Sequence, residues 1–304
     1  MKAPSYLELH EQGALRERAD LAFSLLSPCT LCPRLCRVDR LGGERGVCET
    51  GKRAILSSFG PHFGEESPLV GTGGSGTIFF ASCNLLCTFC QNYEISHLRE
   101  GEEVGPETLA EVMVRLQRRG CHNINFVTPT HVTAQILEAL PLAVERGLSI
   151  PLVYNCGGYE RVETLRLLEG VFDIYMPDMK FWDNGFAWRF CRVRDYRQRA
   201  VEALKEMHRQ VGDLILDENG IAKRGLIVRH LVMPSGVAGT AEVMRFIAEE
   251  ISPHTYVNVM SQYRPCGRAF EDPLLARRIT AREYAEAVSE ARRAGLDRLD
   301  GPWG

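Results

Sequence analysis

Three cysteines lie within eight residues of one another, at positions 83, 87 and 90. Closely spaced cysteines suit an iron–sulfur cluster, because a short loop can then supply thiolates to separate corners of the cluster. Three protein ligands leave one iron of a [4Fe–4S] cubane without a protein ligand, and an open position is what a catalytic metal site keeps. The spacing therefore predicts a cluster-binding loop with one iron free to bind another group.

The same spacing allows two other interpretations. Positions 83, 87 and 90 would share one face of a helix, as buried core cysteines do. The glycine-rich residues 71–76 and the polar Asn84, Gln91 and Asn92 argue against an uninterrupted helix here. A single zinc ion would need a fourth ligand nearby.

A second cysteine group precedes this loop. We call Cys29, Cys32, Cys36 and Cys48 the N-terminal cysteine group. Four thiols can complete the coordination shell of a metal. The surrounding segment is rich in Gly, Pro and Arg and has little hydrophobic core of its own, so we expect a bound metal to stabilise it. The spacing leaves two alternatives open, a structural zinc site or a second iron–sulfur cluster.

Composition limits the partners and the compartment. The chain has 304 residues and a net charge of −3, so it lacks the excess of positive charge that is typical of nucleic-acid-binding proteins. Eleven cysteines indicate metal or redox chemistry in a reducing compartment. Residues 1–22 lack the pattern of a signal peptide, and we find no apolar run long enough to span a bilayer. We therefore expect a cytoplasmic protein with no nucleic-acid and no membrane partner.

Short apolar runs alternate with amphipathic segments after residue 70. The runs predict buried strands at 77–81, 123–127, 151–155, 172–176, 226–233 and 255–260. The segments predict helices near 106–119, 132–147, 160–169, 196–211, 239–251 and 280–294. This order predicts an α/β fold with a parallel sheet, open or partly closed as a barrel. We place the domain boundary near residue 70, giving a cysteine-rich segment over 1–70 and a sheet domain over 71–304.

Polar residues follow several of these strands, at the carboxyl ends where parallel barrels have their active sites. Asp178 and Lys180 alternate on one strand and follow a mostly apolar run, which favours a functional site over a surface ion pair. His131 and Cys156 lie at two other strand ends, and we expect them to be candidate catalytic residues. The isolated Cys191 is expected to be a packing residue.

The pattern Cys83-x3-Cys87-x2-Cys90, with Phe89 directly before the last cysteine, resembles the signature of the radical S-adenosylmethionine (radical SAM) superfamily. Residues 62–66, 73–80 and 90–96 resemble the PflX-like homologues of pyruvate formate-lyase activating enzyme. The resemblance covers the chain from Cys29 to about residue 300.

The resemblance implies a partial (β/α)6 barrel that binds a [4Fe–4S] cluster and S-adenosylmethionine. A flavodoxin or ferredoxin would reduce the cluster, and a 5′-deoxyadenosyl radical would abstract hydrogen from a protein glycine or a small molecule. Asp178 and Lys180 correspond to residues that bind the amino-acid and ribose portions of S-adenosylmethionine. Arg229 and Asn155 are expected to join them at the cofactor.

Two departures from the activating enzymes concern the substrate. Their Gly-Gly-Glu motif is replaced by residues 127–131, and their Asp-Thr-Asn-Gly by residues 154–157. These changes put inheritance of the glycyl-radical substrate in doubt. An alternative function is a non-catalytic iron–sulfur electron carrier or metal sensor, although a carrier would need a fourth cysteine near Cys90. The segment 183–197 is expected to be a lid or a poorly ordered surface loop.

Overall fold

The computed structural model describes residues 3–300, and a mixed sheet forms its centre. Its strands are β1 (Ala54–His62), β2 (Ser75–Phe80), β3 (Glu102–Val104), β4 (Ile124–Val127), β5 (Leu152–Cys156), β6 (Ile174–Pro177), β7 (Ile215–Leu216), β8 (Ala222–Leu231), β9 (Tyr256–Met260) and β10 (Arg298–Leu299). The strands β2, β4, β5, β6, β8 and β9 are parallel neighbours in chain order. They coincide with the six predicted runs, so the predicted α/β order is confirmed.

Helices precede, connect and follow these parallel strands. They are α1 (Ser5–Glu11), α2 (Ala14–Ser24), α3 (Ser67–Val70), α4 (Tyr93–Ser96), α5 (Pro106–Arg118), α6 (Thr133–Glu145), α7 (Val162–Leu167), α8 (Asn184–Cys191), α9 (Tyr196–Val211), α10 (Thr240–Phe246) and α11 (Ala281–Arg293). Their starts follow local sequence: α5 begins at a proline, whose missing N–H would be unpaired there anyway, and α11 begins with a Thr280–Glu283 capping box. Each helix predicted after residue 70 is present.

The sheet is open in the described part of the chain. The antiparallel β1 flanks β2, β3 pairs with β1, and β10 extends the other end beside β9. Within residues 3–300, β3 and β10 do not pair with each other. The strands therefore form an open sheet, which is one of the two arrangements that the alternating pattern predicts.

The segment before residue 70 packs on this sheet. The buried Tyr6, Leu15 and Leu26 belong to the same hydrophobic cluster as the sheet and its helices. The strand β1 adds directly to β2, so the cysteine-rich segment contributes to the sheet edge. The division of the chain into folding units at residue 70 stays a prediction.

One expectation about local structure is wrong. The segment 183–197 is not a loop, because it contains the helix α8, which begins after Asp183. The side chain of Asp183 accepts a hydrogen bond from the Gly185 N–H, as helix N-caps do. Its aromatic residues bury one face: Phe190 stacks on Phe186 at 6.2 Å and on Phe181 at 6.3 Å between ring centroids.

Candidate active site and cluster loop

Residues 81–92, which we call the cluster loop, leave the carboxyl end of β2 and carry Cys83, Cys87 and Cys90. The loop is not helical. Ser82 has φ 73° and Leu86 has φ 53°, in the left-handed region that side chains other than glycine rarely adopt. The three cysteines therefore do not share a helical face, and the interpretation as core cysteines of a helix is wrong.

Aromatic packing fixes the cluster loop. The ring of Phe89 lies 5.8 Å from that of Phe181 and 6.4 Å from that of Tyr263, measured between centroids. The Thr88 N–H donates to the Phe190 carbonyl oxygen at 2.9 Å, which ties the loop to α8. The loop is therefore held by the fold itself.

The three sulfur atoms have hydrogen-bond donors or thiol neighbours. The Leu85 N–H donates to Cys83 Sγ at 3.3 Å, and the Ser96 hydroxyl donates to Cys90 Sγ at 3.2 Å. Cys191 Sγ lies 3.3 Å from Cys87 Sγ, so the residue expected to serve only packing is a direct neighbour of a cluster cysteine. Hydrogen bonds to sulfur tune iron–sulfur clusters.

The number and type of these ligands suit an iron–sulfur cluster. Within residues 3–300 no three Cys, His, Asp or Glu side chains converge closely enough to bind one metal ion. A cubane takes each thiolate on a different iron, so its ligands need not converge on one point. The three thiols nevertheless line one cavity. The donor set therefore fits a [4Fe–4S] cluster.

That cavity has a volume of about 360 Å³ and lies at the carboxyl ends of the parallel strands. Its polar lining comprises His62, Glu65, Gln91, Asn92, Ser96, Thr128, Asn155, Asp178, Lys180, Arg229 and Gln262. Among the predicted site residues, the cluster loop cysteines, Asn155, Cys156, Asp178, Lys180 and Arg229 meet here. Together with Thr128 after β4 and Gln262 after β9, six strand ends therefore contribute to one site.

A buried ionic network forms one wall of the cavity. Arg229 Nε donates to Asp178 Oδ1 at 2.7 Å, and Lys180 Nζ donates to the other carboxylate oxygen at 2.5 Å. A terminal nitrogen of Arg229 also donates to Asn155 Oδ1 at 2.7 Å. Burial would raise the pKa of Asp178, but Arg229 and Lys180 overcome this effect and hold that pKa below its ordinary value. The carboxylate is therefore charged and orients both cations.

Two glutamates that the sequence analysis did not single out adjoin this network. Glu65 Oε2 lies 3.7 Å and Glu66 Oε1 3.9 Å from Arg229 nitrogens. Burial raises the pKa of Glu65 to about 7, although Arg229 lowers it, and Glu66 adds to the rise. The sequence signal was present in residues 62–66, which supported only the family resemblance.

Tyr196 is a further residue that sequence reasoning missed. Its hydroxyl accepts from the Lys180 N–H at 2.8 Å and lies 3.0 Å from the carbonyl oxygens of Gly157 and Asp178. The hydroxyl has one hydrogen and donates to one carbonyl at a time. Tyr196 thereby joins the ends of β5 and β6. No sequence pattern marks this role, since the tyrosine lies at the start of α9.

The two candidate catalytic residues lie in different places. Cys156 lines the cavity, and burial followed by the charge of Glu160 raises its pKa well above the ordinary value. His131 lies outside that cavity and borders the space between the N-terminal cysteine group and Asn84. Its Nε2 lies 2.8 Å from the Ala81 carbonyl oxygen, and burial lowers its pKa to about 4, so the ring is neutral.

The N-terminal cysteine group lines its own cavity beside the cluster loop. Burial raises the pKa of Cys32, and the charges of Cys48 and Cys29 raise it further. Arg34 connects the two cysteine sites: its guanidinium donates to the Asn84 carbonyl at 2.8 Å and the Cys191 carbonyl at 2.9 Å. The two groups are therefore packed against each other.

Residues 77–217 match the radical SAM superfamily domain, and the chain belongs to that superfamily. The chain is also 34% identical over 301 residues to uncharacterized protein MJ0674 of Methanocaldococcus jannaschii, with 96% of this chain and 82% of that protein covered. Membership implies a [4Fe–4S] cluster and S-adenosylmethionine, and the cluster loop supplies a fitting ligand set. The superfamily prediction is confirmed, and the PflX-like branch stays a prediction.

Two solved structures resemble the fold. Native anSMEcpe with bound AdoMet matches with a TM-score of 0.49 and 11% identity, covering 72% of this chain and 61% of that chain. HydG, a maturase of the [FeFe]-hydrogenase, matches with a TM-score of 0.44 and 14% identity, covering 72% of this chain and 48% of that chain. The chain thus spans less than two thirds of either solved structure.

None of the helices within residues 3–300 is long and apolar enough to cross a bilayer.

Proposed function

We propose that this protein is a radical SAM oxidoreductase that abstracts hydrogen from a substrate held in the cavity at the carboxyl ends of its strands. Support comes mainly from one observation, which is that the cluster loop and the Asn155–Asp178–Lys180–Arg229 network line the same cavity. In this proposal Cys83, Cys87 and Cys90 hold the cluster. The bound cofactors supply one-electron cleavage of S-adenosylmethionine to methionine and a 5′-deoxyadenosyl radical.

The residues of the network would bind and orient S-adenosylmethionine. The charged Asp178 carboxylate is fixed by two cations, so it can accept hydrogen bonds from a ribose or an ammonium group without reorganising. Lys180 and Arg229 offer positive charge to a carboxylate, which is the other charged end of the cofactor's amino-acid portion. Burial of this network excludes water and strengthens each of these contacts.

Two substrate classes fit this reaction. One is a glycine of a partner protein, as in the activating enzymes that the sequence resembles, and the other is a small molecule. The departures at residues 127–131 and 154–157 weigh against direct inheritance of the activating-enzyme substrate. Deuterium transfer from a labelled substrate into 5′-deoxyadenosine would identify the class.

We further propose that the N-terminal cysteine group binds a metal centre, either zinc or a second iron–sulfur cluster. Its four thiols line one cavity, and four thiolates can close the shell of either metal centre. Two [4Fe–4S] clusters would give about eight irons per chain, and one cluster with a zinc about four. Metal analysis of anaerobically purified protein distinguishes the two outcomes.

Cofactor cleavage tests the main proposal. Reconstituted protein with dithionite and S-adenosylmethionine should release 5′-deoxyadenosine, and the Cys87→Ala variant should release none because its loop cannot assemble the cluster. The contrary result would be a fully assembled cluster that accepts and returns electrons but does not cleave bound S-adenosylmethionine, whether or not candidate substrates are present. That result would contradict the proposal and favour the electron carrier.

A further inference from the structure

The end of α8 presents a basic surface that has no role in the site described above. We define the α8 surface as Trp188, Arg192 and Arg194. The indole of Trp188 is 40% exposed, and the guanidinium carbons of Arg192 and Arg194 lie 5.6 and 4.4 Å from its ring centroid. Within residues 3–300 neither arginine has a carboxylate within ion-pair distance. The surface therefore offers a partly exposed aromatic ring in contact with two uncompensated cations.

Positive charge is concentrated here against the trend of the whole chain. Residues 183–199 contain five arginines and two aspartates, whereas the chain carries a net charge of −3. A nearby cation, Arg189, is already paired with Asp272 at 2.6 Å, which leaves the charge of the α8 surface directed to solvent. Such local fields steer and orient partners of opposite charge.

The α8 surface is directly joined to the cluster loop. Cys191 lies between Trp188 and Arg192 on the same helix, is buried, and brings its Sγ to 3.3 Å from Cys87 Sγ. The bond from the Thr88 N–H to the Phe190 carbonyl and the bridge made by Arg34 hold the helix end on the loop. A single buried thiol therefore separates this surface from a cluster ligand.

We propose that the α8 surface docks a small acidic protein that carries one electron on an exposed flavin edge, as a flavodoxin does, and that the electron enters through Cys191 and Cys87. A flat apolar ring edge surrounded by carboxylates complements Trp188 surrounded by arginines. The carrier loses one electron and the cluster gains it, and no covalent bond forms or breaks. The inference rests on the proposed function, because it requires the cluster loop to hold a reducible cluster.

The test is the rate of cluster reduction by flavodoxin hydroquinone, followed by absorbance in an anaerobic stopped-flow instrument. The Arg192→Glu/Arg194→Glu variant should be reduced about tenfold more slowly than the wild type, and salt should slow the wild type but not this variant. A matched control is Arg16→Glu/Arg118→Glu, which makes the same change of charge at exposed positions of α2 and α5 and should react like the wild type.

The second measurement is the reduction of the cluster by dithionite. Dithionite needs no docking surface, so it should reduce the wild type and both variants equally, which shows that the cluster is intact. Unchanged reduction of the Arg192→Glu/Arg194→Glu variant by flavodoxin, or no reduction of the wild type by flavodoxin, overturns the inference. Failure of the proposed function is distinct, because it would appear as a dithionite-reduced cluster that does not cleave S-adenosylmethionine.

Discussion

Arg229 and Asp178 face each other across the neighbouring strands β8 and β6, with the arginine Nε 2.7 Å from the aspartate Oδ1. The Arg229 N–H groups also reach Asn155 at the end of β5. Three adjacent strand ends are therefore joined by side chains as well as by the backbone ladder. Because the partners are buried, removing one of them affects both the cavity wall and the stability of the sheet.

The Asp178→Asn variant should lose stability and affinity for S-adenosylmethionine together. It leaves Arg229 and Lys180 buried without the carboxylate that they share, and breaking a buried ion pair in this way costs about 3–5 kcal/mol. Urea denaturation measures the free energy of unfolding. The control is Glu286→Gln, which breaks the exposed pair with Arg282 and should change stability little. Equal losses in the two variants would contradict the role of the network.

Cys87 and Cys191 should differ sharply although their sulfurs are neighbours. We expect Cys87→Ser to lose the cluster, because its thiolate would be a ligand, and Cys191→Ser to keep it, because its sulfur would interact only through Cys87. Iron and sulfide per chain measure assembly. A shift in the midpoint potential of Cys191→Ser would show the influence of that contact on the cluster. Loss of the cluster in Cys191→Ser would instead assign Cys191 as a ligand.

The alternation of apolar runs and amphipathic segments was sufficient to predict the parallel sheet, because buried strands and surface helices differ in period and length. The placement of Asp178, Lys180, Arg229 and Asn155 around one cavity also followed from strand ends meeting at one edge. The roles of these residues in binding stay predictions, as do those of Cys156 and His131.

The sequence patterns did not predict the residues that act through tertiary contacts. Tyr196 reaches the strand ends from the start of a helix, and Glu65 arrives from the connection before β2. The helix α8 was missed because Gly185 and the short run of 184–191 gave a weak helical pattern, while its stability comes from aromatic packing on the cluster loop. Such long-range contacts leave no local period.

The Gly158→Ala variant should displace the backbone of Asp178. Gly158 has φ 78°, and an added Cβ would overlap the Asp178 carbonyl oxygen and lie 3.1 Å from the Tyr196 hydroxyl. Gly212 is a matched control, since its φ is 72° and an added Cβ meets nothing within 4 Å. Both alanines should cost about 1 kcal/mol or more in backbone strain, and only Gly158→Ala should also weaken binding of S-adenosylmethionine. Titration of the reconstituted variants measures the difference; equal affinity in both would show that the contact does not position Asp178.

Glu160 should make the protein less stable as the pH rises. It is buried and accepts hydrogen bonds from the Thr130 hydroxyl at 2.5 Å and the Tyr154 hydroxyl at 3.1 Å. Burial raises its pKa from the ordinary 4.5 to about 7, although these hydroxyls lower it. Between these two values the folded state keeps a proton that the unfolded state releases, so the free energy of unfolding falls as pH rises through this window and levels off above it.

Replacing Glu160 by glutamine isolates this contribution from that of Glu65, whose pKa is also raised to about 7. The glutamine cannot ionise, so the stability of Glu160→Gln relative to the wild type should increase by about 3 kcal/mol between pH 5 and pH 8. Urea denaturation at both pH values measures the change. A difference between variant and wild type that stays constant with pH would mean that Glu160 has the same charge in the folded and unfolded states.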